Sequence, residues 1–361
     1  GWGGAPAAPP AGGPPHAPAS PEVTFMAGPA RPAGAGARFD AIAFRLVPLA
    51  AFAAAGAAGL MLGPAWSRAA APWPWLASLM VVGLPHGAAD FAVTRRMCGG
   101  PAAVAALFAA YVALLASVGG GIALAPLPVL VAFVALSGWH FGAAHADAQS
   151  PPLVRRPGAL ALAALARGAP VLGMPLVAWP EASAAVAAAV VALAGAAPTI
   201  APEAVRSIGL ALVALGVAAL ALEAWRTRRD PGGPARSLAT VADLGVIGLL
   251  EATTDPLFAV GCYFLGWHAW RQMRLLAPAL GCAPVVDPRS LLAALGRIHV
   301  AALPLLVPTW AAVAAAWWCL PAAHVAHDAR GLAILSLAVY VVVTPSHDLL
   351  MDWWRCRGGK E

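Results

Sequence analysis

The chain has 361 residues, of which 61% are hydrophobic and only 11% charged, with a mean hydropathy of +0.77; so little polar surface cannot coat a water-soluble globule. Repeated apolar stretches of about 20 residues fit bilayer-spanning helices, not the strands of a barrel. The formal charge of +6 resides mostly in arginines at the breaks between apolar runs, a topology signal and not a nucleic-acid face, and five scattered cysteines with no C-x-x-C pair support neither a disulfide framework nor a thiolate zinc site.

The expected fold class is all-α, a polytopic membrane bundle of about ten transmembrane helices. Residues 1–36 are dominated by Gly, Ala and Pro and are expected to form a disordered tail; 37–354 form the transmembrane domain and 355–361 a short tail. No cleavable signal peptide is expected, because the apolar stretches that follow are too long for an h-region. The spans read as 40–63, 73–94, 101–124, 126–147, 158–180, 205–225, 237–252, 256–276, 292–319 and 331–352. An Ala-rich stretch at 182–197 is ambiguous. If it crossed, Arg226, Arg228, Arg229 and Arg236 would lie on the opposite side from Arg95, Arg96, Arg155 and Arg156, against the positive-inside rule. Ten spans satisfy the rule and place both termini on the cytoplasmic side of the cell inner membrane.

Four of the nine histidines lie inside these spans: His86 in GLPHGAAD, His140 in SGWHFGAAHAD, His268 in YFLGWHAWRQM and His347 in VVVTPSHDLLMD. An ionisable residue in a membrane helix is costly without a partner and marks a functional site by default. With ten spans, all four histidine-bearing spans run toward the cytoplasm and each histidine sits somewhat past its midpoint. One shared depth points to one shared metal site. Neutral imidazoles with open positions suit iron, copper or zinc better than magnesium or calcium. Asp90, one turn after His86, is placed to orient it, with Asp147, Asp243, Glu251, Asp348 and Asp352 as further carboxylates. A lone membrane histidine is as readily a helix–helix hydrogen bond, a reading that four at one depth make less favourable. His145 is expected near water at the end of its span, and His299, His324, His327 and His16 fall outside the site.

Trp139 and Phe141 flank His140, while Phe264 and Trp267 lie beside His268, walls suited to a long apolar substrate. Gly83, Pro85 and Gly87 around His86, and Pro345 near His347, can open helix backbone toward a cavity.

At these same segments the sequence resembles the Brp/Blh family of membrane β-carotene 15,15'-dioxygenases. The likeness runs through Gly83-Leu84-Pro85-His86-Gly87 with Asp90, then Trp139-His140-Phe141-Gly142 with Asp147, Arg167-Gly168 with Pro170 and Pro175, Tyr263-Phe264 with Trp267-His268 and Arg271, and a final Pro-x-His at Pro345 and His347. The resemblance implies a non-haem Fe(2+) held by membrane histidines, with O2 as co-substrate. It further implies a carotenoid drawn from the bilayer, retinal as product, and a retinal-accepting opsin-type protein as partner. By position, His86, His140 and His268 would be ligands. Where the family continues to a second histidine one turn after the third, this chain has Gln272, so either Gln272 or His347 could complete the set. Other readings are a related iron oxygenase acting on another isoprenoid or lipid, a haem electron carrier, a metal transporter, or a structural partner of a retinal-binding protein.

Overall fold

A computed structural model describes residues 34–98, 100–149, 157–196 and 199–358; residues 2–33, which carry nearly all of the expected tail, lie outside the described residues, as does the loop with Arg155 and Arg156. Among the described residues the secondary structure is entirely helical. The helices are α1 (Gly36–Leu62), α2 (Ala65–Arg96), α3 (Pro101–Leu124), α4 (Pro126–Gln149), α5 (Gly158–Ala178), α6 (Pro180–Ala192), α7 (Pro202–Thr227) and α8 (Gly233–Thr253). They are followed by α9, made of Pro256–Tyr263, Phe264–Ala269 and Trp270–Ala279, then α10 (Pro288–Cys319) and α11 (Ala329–Gly358).

Proline sets many of these starts. Pro101, Pro126, Pro180, Pro202, Pro256 and Pro288 each open a helix, where the missing N–H costs nothing and the fixed φ is already helical. The Asp255 side chain caps α9 by accepting from the Leu257 and Phe258 amides. Asp287 and Ser290 cap α10 reciprocally, and hydrogen bonds from the Ser290 backbone and hydroxyl hold the Asp287 carboxyl below its usual range.

Each of the ten expected spans coincides with a helix, and eight helices are long and apolar enough to cross a membrane. The two that fall short, α8 and α9, carry Asp243, Glu251, Arg271 and Arg274. Those four residues point inward or pair, so the helices are polar because they line the interior. The ambiguous Ala-rich stretch forms α6, whose 13 residues rise only about 20 Å, short of a hydrocarbon core of about 30 Å.

Small residues let the helices close on one another, as membrane interfaces require. A methyl on Gly168 of α5 would overlap the Gly138 carbonyl of α4, and one on Gly142 would overlap the Ala164 carbonyl. On its other side α5 packs against α7, where Gly173 and Gly209 meet. By contrast, α3 buries none of its residues and lies at the edge of the bundle against α4 and α11.

Candidate metal centre

The four intramembrane histidines arrive on α2, α4, α9 and α11 and meet. Ring centroids are 4.6 Å apart for His140 and His268, 5.1 Å for His86 and His347, 5.3 Å for His140 and His347, and 5.5 Å for His86 and His268. Two of the supporting helices depart from α geometry next to their histidine. A π-helical stretch at Ser78–Val82 ends four residues before His86, and His268 lies within another, Phe264–Ala269. Such wide turns re-aim side chains and recur at functional sites. Gly83 permits the first: a side chain there would collide with Ser78 Oγ and approach both Phe264 and Tyr340 to 2.8 Å.

His86, His140 and His268 are all buried and offer nitrogens lying within 4.8 Å of one another. The second nitrogen of two of them is already engaged. His86 Nδ1 donates to the Val82 carbonyl at 3.1 Å, and His140 Nδ1 donates to Asp348 Oδ1 at 2.8 Å. Each partner is an acceptor only, so both rings turn an unprotonated Nε2 inward. His140 Nε2 stands 3.0 Å from His268 Nε2, the separation of two nitrogens each about 2.1 Å from a shared ion at roughly a right angle. His268 Nδ1 is buried and has no hydrogen-bond partner among the described residues. Without an ion, His268 Nε2–H can donate to the unprotonated His140 Nε2; with that proton displaced, the converging imidazole nitrogens suit a transition metal cation.

His347 presents its ring to His86 and His140, and its Nδ1 donates to Asp90, 2.8 Å from Oδ2 and 3.0 Å from Oδ1. Asp90 was expected to orient His86; the structure gives it to His347, while the carboxylate on His140 is Asp348. Asp147, half-buried near the end of α4, leaves that position to Asp348. Gln272 is buried one turn beyond His268, off the cavity wall.

That cavity, of about 140 Å³, opens onto all four imidazoles. Phe141 and Phe264 line it, together with Trp75, Tyr111, Phe133 and Tyr340, which the sequence did not single out. Trp139 and Trp267 lie off the wall; Trp267 packs instead on His145 and the Arg271 guanidinium. An aromatic stack runs from His268 to Phe264 (5.6 Å) and on to Trp75 (5.9 Å), whose indole donates to the Leu257 carbonyl at 2.7 Å.

Around His145 the interior is polar. His145, expected near water, is buried: the Trp267 indole donates to its Nδ1 at 3.4 Å, and its Nε2 lies 3.1 Å from the Gln149 amide and 3.7 Å from Asp243. Asp243 accepts from Arg45 at 2.9 Å, and Arg167 joins Gln149 to Glu223. His145 is a member of this network, which accounts for Arg167 of the Arg167-Gly168 motif.

The family model described as "Beta-carotene 15,15'-dioxygenase" matches residues 77–355. The "Probable beta-carotene 15,15'-dioxygenase Blh" of Halobacterium salinarum is 29% identical over 297 residues, covering 78% of this chain and 83% of that protein. No solved structure matches.

Proposed function

The chain belongs to the beta-carotene 15,15'-dioxygenase family, and from that membership we propose that it is a membrane dioxygenase, using histidine-held iron to cleave β-carotene at its central double bond and give retinal. The observation that carries the reading is the meeting of His86, His140 and His268 in an apolar cavity inside a helical bundle. In this reading those three imidazoles hold the ion and His347 supplies the fourth, favoured over Gln272 because it lines the cavity. Asp90 and Asp348 fix the tautomers of His347 and His140.

A bound iron ion would supply the one-electron chemistry through which O2 reacts with a closed-shell polyene. Both oxygen atoms are consumed: the central C=C breaks, two C=O bonds form, and no reductant is needed. The protein's tasks are therefore positioning and exclusion of water. Phe141, Phe264, Trp75 and Tyr340 offer ring faces and edges to a flat conjugated chain. Among the described residues no Asp, Glu, Lys or Arg lines the wall, consistent with a substrate that has no group to ionise. The cavity's 140 Å³ is the size that accepts a single benzene-like guest. A carotenoid must therefore extend beyond it between helices toward the lipid, and the partly exposed Leu115, Phe133 and Leu305 stand on that route.

The positive-inside reading of the arginines supports an orientation with both termini cytoplasmic, in keeping with a cell inner membrane, and an opsin-type protein is the acceptor class proposed for the product. Expression in cells that accumulate β-carotene tests the reading. Retinal should form, and should vanish with His86→Ala and with His268→Ala. Untouched β-carotene alongside verified membrane expression would rule out central cleavage and favour another isoprenoid or lipid.

A further inference from the structure

The wide turn that precedes His86 is held from outside by α10. In the stretch Ser78–Val82 the Gly83 amide reaches back five residues to the Ser78 carbonyl. An α register would give that amide to Leu79, so Leu79 loses its regular partner. The Trp310 indole of α10 takes its place, donating to the Leu79 carbonyl at 3.1 Å. In the same five-residue register Met80 would face Pro85, which has no N–H, and His299 Nε2 of α10 stands 3.3 Å from the Met80 carbonyl. His299 Nδ1 also lies 2.8 Å from the Leu295 carbonyl. A neutral imidazole has one N–H to give, whereas an indole is a donor only, so Trp310 is the constant holder of the turn.

A backbone carbonyl without a partner in an apolar interior is costly, so a donor that meets Leu79 favours the wide register over the regular one. Relaxation to the regular register would rotate the helix beyond the turn by about 100°. His86 stands just beyond it, tied to the turn's last residue by the bond from its Nδ1 to the Val82 carbonyl at 3.1 Å. The same device occurs a second time: Ile42–Leu46 of α1 is also π-helical, and there the Trp270 indole of α9 donates to the Ala43 carbonyl at 2.9 Å.

Resting on the proposed metal centre, we propose that Trp310 is a positioning residue of that centre: its indole holds the Leu79 carbonyl, and with it the wide turn that aims His86 at the other imidazoles. It takes no part in ligation.

The test is titration of the metal-free full chain, in detergent, with Co(II), whose visible ligand-field spectrum reports ligand arrangement without turnover. Trp310→Phe keeps an aromatic ring at the contact but loses the donor. It should weaken Co(II) binding about threefold to tenfold and shift the bands, while Trp318→Phe, at an exposed position of the same helix, should match the wild type. A double-mutant cycle separates this role from a general loss of packing: with His86→Ala already present, Trp310→Phe should cost the three remaining imidazoles nothing further. Unchanged affinity and spectrum in Trp310→Phe, or additive losses in the double variant, would overturn the proposal. A wild type that binds no Co(II) would overturn the metal-centre reading itself, and this inference with it.

Discussion

His347 and Asp90, 257 residues apart in sequence, meet through one ring nitrogen that lies 2.8 and 3.0 Å from the two carboxylate oxygens. The contact joins the first histidine motif to the last and makes the final helix part of the centre. Carboxylates that orient ligating histidines are worth about 10–100-fold in metal affinity. Asp90→Ala should lower metal affinity by about that factor, measured by competition with a chelator of known affinity. A variant that holds metal as tightly as the wild type would deny Asp90 any part in the centre.

The two candidates for the fourth position make opposite predictions. His347→Ala should reduce both metal content and retinal formation by about tenfold or more, since an imidazole lost from a four-nitrogen set is not replaced by a nearby amide. Gln272→Ala should leave metal content at the wild-type level. Reversed results, read by elemental analysis of the purified proteins, would assign the position to Gln272.

The aromatic wall should act on the substrate and not on the metal. Phe264 stacks on His268 at 5.6 Å and meets Tyr340 edge-on at 4.7 Å. With about 0.5–1.5 kcal/mol for each aromatic pair, Phe264→Ala should cost roughly tenfold in kcat/KM for β-carotene while metal content stays unchanged. Loss of metal together with activity would show that Phe264 supports the ligands instead.

How much of this was legible in the sequence divides along physical lines. Spans were readable because a bilayer demands long apolar helices, and the common depth of the histidines followed from arginine placement. Residues that meet across helices were not readable. Asp90 falls on the same face as His86 in a regular helix, but the helix is interrupted between them at Ala89 and His86 Nδ1 already bonds the Val82 carbonyl, so the one-turn rule failed and the carboxylate reaches His347. His145 lies five residues beyond His140, where a regular span would bring it near water; it is buried because α5, α7 and α8 supply Arg167, Glu223 and Asp243 around it. Trp75, Tyr111 and Tyr340 stand in segments with no motif of their own, and only the fold brings them to the cavity.

Close helix contacts give a prediction about folding alone. Because a methyl on Gly168 would overlap the Gly138 carbonyl, Gly168→Val should destabilise the bundle by about 1–3 kcal/mol and lower its unfolding temperature in detergent. Gly87 is a contrast within a motif: the nearest atom to an added Cβ is 3.8 Å away, so Gly87→Ala should unfold at the wild-type temperature. Equal behaviour of the two variants would contradict the packing of α4 on α5.

The most direct test of central dioxygenation is cleavage of β-carotene by the purified protein under ¹⁸O₂, with immediate borohydride reduction to trap the aldehydes before they exchange with water. The account predicts two retinol molecules for each β-carotene consumed, both carrying the label. Products of unequal length, or a label present in only one half, would contradict it.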